Sequence, residues 1–196
     1  MKDIASSYWR KRYEKQGQNY VSLVGANNYD RKKRIISKAV APHLAKGFSN
    51  ALDFGAGVGR FQEMLTRNAE KVTALDWVFD ALDALKIKFP STEIARFESL
   101  PFELEPLSFD LVWSCMVLQH IVCPERFRNT ACGLFDLAAP GATFLLIENR
   151  ADNAPHVERR SAEDYAKALG VELIIAEPLT IDHPGSHWLI KGRREI

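Results

Sequence analysis

The stretch Ala51-Leu52-Asp53-Phe54-Gly55-Ala56-Gly57-Val58-Gly59-Arg60-Phe61 decides the fold of this chain. Residues 51–54 form a short apolar run typical of a buried strand, and residues 60–67 suit a helix. Three alternating glycines join the two elements. Glycine is needed where the backbone turns with positive φ and where a ligand must lie against the main chain. The stretch therefore predicts a strand, a ligand-binding turn and a helix in direct succession.

The alternation of strands and helices continues toward the C-terminus. It predicts strands at 72–75, 93–97, 109–114 and 143–148, and helices at 78–89, 125–138 and 161–169. The last two strands, 172–176 and 187–191, are joined without a helical pattern, so they should be antiparallel. This order is typical of a Rossmann-like, doubly wound α/β fold whose seven-stranded sheet is mostly parallel, with an antiparallel last strand. Such sheets bind ligands at the carboxyl ends of their strands.

The N-terminal part has a different pattern. Residues 1–47 are predicted to form a helical cap or lid on a domain that spans residues 48–196. Within the cap the pattern favours a helix at 6–16, a loop at 18–30 and a helix at 31–46. Asp30 is the expected N-cap of that last helix, and Pro42 is expected to kink it or to begin a second segment.

Charge is unevenly distributed between these two parts. Residues 1–47 hold eleven Lys and Arg against three Asp and Glu, a net charge of +8, and the remaining residues carry −7. A solvated helical face explains this asymmetry, and so does an anionic partner such as a nucleic acid. We favour the solvated face.

Length and composition are those of one globular domain with a small appendage. The chain has 196 residues, 46% hydrophobic and 26% charged, so it needs no disulfide or metal to fold. Its three cysteines match neither a zinc spacing nor a disulfide framework, so we expect no metal and a cytoplasmic location. The first residues lack the apolar segment of a secretory signal, and no apolar run of 18 residues predicts a membrane span.

Two acidic residues narrow the choice of ligand. The dinucleotide fingerprint G-x-G-x-x-G would need glycine where Arg60 stands, which disfavours a nicotinamide cofactor. Asp53 would repel a pyrophosphate but suits a ligand that carries an ammonium and a sulfonium. Asp76 ends the second strand, where a carboxylate accepts the two hydroxyls of a ribose. Trp77 follows directly and is suited to packing against an adenine.

With these residues the chain resembles the class I S-adenosylmethionine-dependent methyltransferases, in the branch that contains many small-molecule enzymes. LDFGAGVGRF (52–61) is similar to the first motif of that family, and ALD (74–76) to its ribose-binding position. ESLPFELEPLSFDLVWSCMVLQHI (98–121) is similar to the stretch from the third strand through the fourth. The resemblance covers residues 50–150 and extends more loosely to 196.

The resemblance implies S-adenosyl-L-methionine as cofactor and S-adenosyl-L-homocysteine as product. It implies that Asp53 orients the amino group, that Asp76 holds the ribose, and that Trp77 lies beside the adenine. The residues it assigns to the cofactor are Asp53, Gly55, Ala56, Gly57, Gly59, Asp76, Trp77, Phe97, Glu98, Ser114, Cys115 and Gln119.

One position departs from the family pattern. The acidic residue that often meets the adenine amino group after the third strand is replaced by Arg96. Glu98 lies two residues later and is the candidate to substitute for it, and a backbone amide near Phe97 is the other candidate.

The candidate catalytic residue is His120, which follows the fourth strand in LQHI. Its imidazole is expected to titrate near neutrality and so suits a general base. A hydrogen-bonded histidine in the first turn of the next segment is the alternative, which we favour. Glu148, Asn149 and Arg150 follow the fifth strand and are candidates to contact substrate. No further catalytic group is needed in principle, because alignment alone supplies much of the acceleration of methyl transfer.

Three functions remain open from the sequence. The first is methyl transfer to oxygen, nitrogen or carbon of a small molecule. The second is methyl transfer to RNA or another polyanion through the basic N-terminal region. The third is a non-catalytic domain that binds the cofactor, since a fold does not guarantee its chemistry. SCMV (114–117) stands where related enzymes that methylate planar amino groups carry an Asn-Pro-Pro-aromatic tetrapeptide, so such acceptors are less favoured.

Overall fold

The computed structural model describes residues Trp9, Lys11, 26–151 and 154–195. Its elements, in chain order, are α1 (Ala26–Leu44), β1 (Phe48–Phe54), α2 (Gln62–Asn68), β2 (Ala69–Asp76), α3 (Phe79–Lys88), β3 (Glu93–Arg96), β4 (Phe109–Cys115), a 3₁₀ turn (Leu118–His120), α4 (Pro124–Leu137), β5 (Ala138–Asn149), α5 (Ala162–Leu169), β6 (Glu172–Leu179) and β7 (His187–Arg193). None of the helices in the described ranges is long and apolar enough to cross a membrane.

The strands form one seven-stranded sheet in the order β3-β2-β1-β4-β5-β7-β6. The pairs from β3 to β5 are parallel, and β7 is antiparallel to both of its neighbours. The predicted Rossmann-like sheet with an antiparallel last strand is therefore confirmed. The direction of winding reverses between β1 and β4, which leaves a crevice at the carboxyl ends of these two strands.

Alternation along the strands divides the core into two layers, one on each face of the sheet. On β1, Leu52 and Phe54 face the layer under α4 and α5, whereas Ala51 faces the other layer. That second layer is covered by α1, which contributes Ile36 and Val40, both fully buried. The helix next to the N-terminal region therefore packs directly on the sheet.

The N-terminal elements differ from their predicted limits. The predicted loop at 18–30 is wrong from Ala26 onward, because α1 begins there and not at residue 31. Tyr29 is 9% exposed and packs against a guanidinium, and this tertiary contact extends the helix beyond its expected cap. Helix α1 also continues through Pro42 to Leu44, so no second segment begins at the proline. Apart from Trp9 and Lys11, the helix predicted at 6–16 lies outside the described residues.

The glycine turn is longer than predicted, and the strand after α4 is longer as well. Arg60 and Phe61 belong to the turn, and α2 begins at Gln62 rather than at residue 60. Strand β5 runs over Ala138–Asn149 instead of 143–148, since its first residues continue directly from α4. The wider turn leaves more backbone beside the crevice.

Candidate functional site

A cavity of about 510 Å³ lies at the carboxyl ends of β1, β2 and β4, at the predicted switch point of the sheet. The sequence-predicted residues that line it are Asp53, Gly55, Ala56, Gly57, Asp76, Trp77, Phe97, Glu98, Cys115, Gln119 and His120. These residues come from four segments that are distant in sequence. The fold therefore gathers most of the candidate site around one space.

The glycine turn is held against the two neighbouring strands. Gly55 has φ +75° and donates its N–H to the carbonyl of Leu75 at 2.8 Å. A Cβ added at Gly55 would lie 2.3 Å from a methyl carbon of Val117, so no larger residue fits there. Gly57 also has a positive φ, of +53°, and its N–H points at the end of β2. Close approach and backbone conformation both require glycine at this turn.

Two sequence-predicted residues are not among those that line the cavity. Gly59 has φ +80°, and a Cβ there would meet Leu85 at 3.1 Å and the side chain of Gln62 at 3.0 Å. Its role is to allow close packing of the turn on α3. Ser114 is fully buried, and its hydroxyl donates to Glu148 Oε1 at 3.3 Å. These two residues therefore stabilise segments that line the cavity without lining it themselves.

Asp53 provides a buried carboxylate next to the glycine turn. It is 3% exposed, and Gln62 Nε2 donates to its Oδ2 at 2.5 Å. Burial raises the pKa of this carboxyl to about 7, the Gln62 hydrogen bond lowers it, and the Asp76 charge raises it further. A cationic ligand group would stabilise the ionised form, so the position fits an ammonium.

Asp76 lies at the tip of β2 and joins it to the glycine turn. Its Oδ2 accepts the Gly57 N–H at 2.8 Å and its Oδ1 accepts the Val78 N–H at 2.9 Å. Burial raises its pKa, whereas these backbone hydrogen bonds lower it. Each carboxylate oxygen accepts more than one hydrogen bond. The carboxylate therefore retains capacity for the two vicinal hydroxyls of a ribose.

Aromatic side chains form an apolar wall beside Asp76. Phe97 stacks against Phe54 with ring centroids 5.9 Å apart and against Trp77 at 6.2 Å. Trp9 and Trp77 both pack against a small buried cluster that contains Val78. Flat faces of this kind suit a planar base.

Arg96 stands where the family often has an acidic residue, and its side chain lies outside the cavity. Its guanidinium pairs with Asp83 and lies over the Phe79 ring, 5.2 Å from the centroid. Arg96 is absent from the cavity wall, whereas Glu98 and Ser99 are part of it. An acidic side chain is thus present near the expected place, two residues later in the chain.

His120 reaches the cavity from the 3₁₀ turn after β4. Its Nδ1 lies 2.8 Å from the carbonyl oxygen of His156. A carbonyl only accepts hydrogen bonds, so Nδ1 carries the ring proton and Nε2 keeps its lone pair. Burial lowers the pKa of the imidazole to about 4, the His156 carbonyl raises it, and the charge of His156 lowers it. The expectation that this imidazole titrates near neutrality is therefore wrong, because burial keeps it neutral. Its acceptor nitrogen, Nε2, lies 3.5 Å from Nε2 of Gln119.

The turn that carries His120 is held by Glu148, whose role the sequence did not reveal. Glu148 is fully buried at the end of β5, and its carboxylate accepts N–H groups of Leu118 at 3.1 Å and Gln119 at 2.9 Å. The N–H of Asn149 in turn donates to the Gln119 side chain at 2.6 Å. The sequence did contain one indication of this role, namely an acidic residue at the end of β5, the strand that pairs with β4.

The three candidates for substrate contact at the end of β5 lie outside the cavity wall. Glu148, Asn149 and Arg150 are absent from the cavity wall. Arg150 lies over the ring of Trp188 at 4.7 Å and donates to the carbonyl of Gly185. Polar residues of α4 line the cavity instead, namely Arg126, Asn129 and Thr130. Over residues 26–151 and 154–195, with Trp9 and Lys11, no three His, Cys, Asp or Glu side chains are grouped to hold a metal ion.

This geometry agrees with a sequence family. The family described as "Methyltransferase domain" matches the chain over residues 52–146. Residues 52–146 belong to the methyltransferase domain family. The resemblance to class I S-adenosylmethionine-dependent methyltransferases is thereby confirmed, and the match runs from β1 to β5.

Proteins similar to this chain were found by sequence and by structure. An uncharacterised methyltransferase from Schizosaccharomyces pombe is 30% identical over 115 residues, which are 58% of this chain and 44% of the relative. The N-methyltransferase NodS from Bradyrhizobium japonicum, in complex with S-adenosyl-L-homocysteine, has a TM-score of 0.75 at 18% identity, covering 98% of each chain. A 1,6-didemethyltoxoflavin-N1-methyltransferase from Burkholderia thailandensis has a TM-score of 0.71 at 20% identity, covering 97% of this chain and 89% of that one.

The sequence matches and the structural matches cover different shares of the proteins compared. The chain spans less than half the length of the curated relatives it matches. The structural neighbours share the fold along nearly the whole chain.

The close approach at Gly55 predicts that Gly55→Ala destabilises the protein more than Gly47→Ala. Both glycines have positive φ, +75° and +71°, but a Cβ at Gly47 has nothing within 4 Å. We expect Gly47→Ala to lower the free energy of unfolding by about 1 kcal/mol and Gly55→Ala by about 2–4 kcal/mol. Urea unfolding followed by circular dichroism measures both. Equal losses would contradict the close packing on Val117.

The buried carboxyl of Glu148 predicts a pH-dependent stability. Burial raises its folded pKa to about 7, although the backbone N–H groups of Gln119, Leu118 and Val117 lower it. Because the folded state binds the proton more tightly, the free energy of unfolding falls as pH rises from about 4.5 to 7. The decline from this group is on the order of 3 kcal/mol. The pKa of Asp53 is also raised by burial, so this residue contributes a further fall in the free energy of unfolding as pH rises.

Urea unfolding at pH 5 and at pH 7.5 tests this linkage. We expect the Glu148→Gln variant to show a smaller decline between these pH values than the wild type. Glu172→Gln, at an exposed carboxyl on β6, is the matched control and should keep the wild-type decline. If Glu148→Gln and wild type decline equally, Glu148 is not the titrating group.

Proposed function

We propose that this protein is an S-adenosyl-L-methionine-dependent methyltransferase that acts on a small molecule. The proposal rests on one observation above all, the contact between the glycine turn and the Asp76 carboxylate. A main-chain turn that admits no Cβ at Gly55 lies against a buried carboxylate and an aromatic wall. This arrangement fits a nucleoside that bears an extended, positively charged side chain.

The residues present fit this cofactor at three points. Asp76 would accept the ribose hydroxyls, the Phe97 and Trp77 rings would form an apolar surface beside the adenine, and Asp53 would take the ammonium group. Gly55, Ala56 and Gly57 leave backbone exposed along the amino-acid portion. When bound, the cofactor supplies a methyl group on a positively charged sulfur, which is reactive without help from a metal or a protein nucleophile.

The protein's contribution to the reaction is alignment together with one base. His120 lines the same cavity and is neutral at physiological pH, with Nε2 as its acceptor nitrogen. Such a nitrogen accepts a hydrogen bond from an O–H or N–H group and takes up its proton as that atom is methylated. We therefore propose an acceptor oxygen or nitrogen that carries hydrogen, rather than a carbon.

Cavity size and surface charge favour a small acceptor over a polyanion. A cavity of about 510 Å³ is in the range of small-molecule sites. Several basic side chains of α1 are already paired, Lys32 with Asp182 and Lys33 with Glu63. The crystal structure of the Burkholderia thailandensis neighbour contains bound 1,6-didemethyltoxoflavin, a small molecule, together with S-adenosylhomocysteine. These observations support a small molecule over RNA.

Trp9 supports the proposed lid role of residues 1–47. Its ring contacts the His120 ring edge-on at 5.1 Å and also packs with Val78 on the cofactor side. A side chain in this position covers the space between the two predicted binding regions. We propose that the part of residues 1–47 that carries Trp9 covers the acceptor, whereas α1 in the same range packs on the sheet. Residues 48–196 then form the cofactor-binding domain. A cytoplasmic location, in keeping with the three free thiols, is part of the same proposal.

Calorimetric titration with S-adenosyl-L-homocysteine tests the cofactor site. We expect binding by the wild type, and an affinity at least about tenfold lower for Asp76→Ala, because hydrogen bonds to a charged group are lost. Asp83→Ala is the matched control, since that exposed carboxylate pairs with Arg96 outside the cavity. Failure of the wild type to bind, or full binding by Asp76→Ala, would overturn the proposal.

Turnover with a panel of amines, phenols and alcohols tests His120. We expect His120→Gln to lower kcat by about 10²–10⁴ while its affinity for S-adenosyl-L-homocysteine stays within about twofold. Because the pKa of His120 is near 4, its protonation should not depress the wild-type rate between pH 8 and 5. His43→Gln, on α1, is the control. Wild-type kcat in His120→Gln would contradict its role as base, and binding without turnover on any acceptor would indicate a non-catalytic domain.

A further inference from the structure

The side chain of Gln119 lies between the end of β5 and His120, and its orientation is fixed. The backbone N–H of Asn149 donates to Gln119 Oε1 at 2.6 Å. Because a backbone N–H only donates, this contact identifies the carbonyl oxygen of the amide and so places its NH2 group on the other arm. That arm carries Nε2 to 3.5 Å from His120 Nε2. The amide therefore presents a donor group beside the imidazole.

The two facing nitrogens have opposite hydrogen-bonding roles. His120 Nδ1 carries the ring proton, since it faces the carbonyl oxygen of His156 at 2.8 Å, and Nε2 therefore only accepts. Gln119 Nε2 only donates. Their separation of 3.5 Å is at the outer limit of a hydrogen bond, so the contact between them is weak. Both residues line the cavity, which thus has a donor and an acceptor side by side in its wall.

Gln119 has a second donor besides the one that faces His120. A carboxamide carries two N–H groups. Over the described parts of the chain, the contact with His120 is the only hydrogen bond of the Gln119 NH2 group. The residue is 6% exposed, so water has little access to this group except through the cavity. A ligand atom that accepts from the amide would therefore satisfy a donor that the protein leaves without a partner.

A hydroxyl group uses both nitrogens at once, whereas an amine does not. A hydroxyl has one hydrogen and two lone pairs on oxygen. Its hydrogen donates to His120 Nε2, one lone pair accepts from Gln119 Nε2, and the other lone pair remains for the bond to the methyl carbon. A neutral amine has a single lone pair, which the new bond requires, so it cannot also accept from Gln119. The two side chains together therefore favour an oxygen acceptor.

We infer that Gln119 and His120 together recognise a hydroxyl group and that the methylated atom is its oxygen. The inference rests on the proposed function and narrows its acceptor. As the oxygen forms its bond to the methyl carbon, the bond between that carbon and sulfur breaks and leaves its electron pair on sulfur. The hydroxyl proton passes to His120 Nε2, which later releases it to water. Trp9, whose ring contacts the His120 ring edge-on at 5.1 Å, suits an aromatic ring on the acceptor.

Phenol and aniline are matched probes of this pair, because both are uncharged at neutral pH and differ only in the group on the ring. We expect the complex of the wild type with S-adenosyl-L-homocysteine to bind phenol at least about fivefold more tightly than aniline in calorimetric titration. In Gln119→Met, which lacks both N–H groups, the preference should fall below about twofold. Among acceptors that are turned over with S-adenosyl-L-methionine, phenols and alcohols should have a higher kcat/KM than the matched amines.

A nuclear magnetic resonance measurement on the wild type tests the same contact without any variant or turnover. The side-chain NH2 resonances of Gln119 should shift when phenol is added to the complex with S-adenosyl-L-homocysteine, and should shift less with aniline. This spectrum decides the question if Gln119→Met does not fold. Asn68→Ala is the matched control, because it removes an amide of α2 that bonds within its own helix outside the cavity, and it should keep the wild-type preference.

The results that contradict the inference differ from those that contradict the proposed function. Aniline that binds as tightly as phenol, no binding of either probe, or a preference for phenol that persists in Gln119→Met would overturn the inference. Failure of the wild type to bind S-adenosyl-L-homocysteine would instead refute the proposed function.

Discussion

The carboxylate of Asp76 connects two segments that the rest of the site depends on. It accepts the N–H of Gly57 in the turn after β1 and the N–H of Val78 at the start of α3. These are backbone groups at a turn and a helix start, which need a partner when they are withdrawn from water. The same acidic side chain that a ribose requires thus also organises the loops around it. Its substitution would therefore affect both the loop and the ligand.

A second buried carboxylate has the corresponding function on the other side of the switch point. Glu148 receives three backbone N–H groups of the segment Val117–Gln119 and so fixes the turn that precedes His120. Burying a carboxylate costs free energy, and these hydrogen bonds offset only part of it, as its raised pKa shows. In return, the hydrogen bonds of this carboxylate hold the loop in one conformation. Positioning groups of this kind are the main contribution of a protein whose cofactor carries the reactive methyl group.

The parts of the site predictable from sequence were those that depend on local chemistry. The positive φ at Gly55 and Gly57, and the acid at the end of β2, are required by the turn and by the ligand themselves. The mostly parallel sheet with its antiparallel last strand followed from the alternation of elements and from the missing helix before β7. Gly59 could not be separated from the other glycines, because its requirement comes from packing against Leu85, which is distant in sequence.

Other features depended on tertiary contacts and were therefore missed. Helix α1 includes Tyr29, which is buried under Arg60, a residue 31 positions later in the chain. Helix α4 contributes to the cavity wall, and Glu148 holds the turn next to it. Both roles depend on how helices and strands meet at the switch point. Arg96 occupied the expected acidic position, but its pairing with Asp83 on α3 removes it from the site.

The most direct test of this account is a crystal structure of the protein with S-adenosyl-L-homocysteine. We expect ligand density along residues 55–57, with both ribose hydroxyls within hydrogen-bond distance of the Asp76 carboxylate and the adenine beside Trp77. A ribose located away from Asp76, or a ligand bound outside the cavity between β1 and β4, would contradict it.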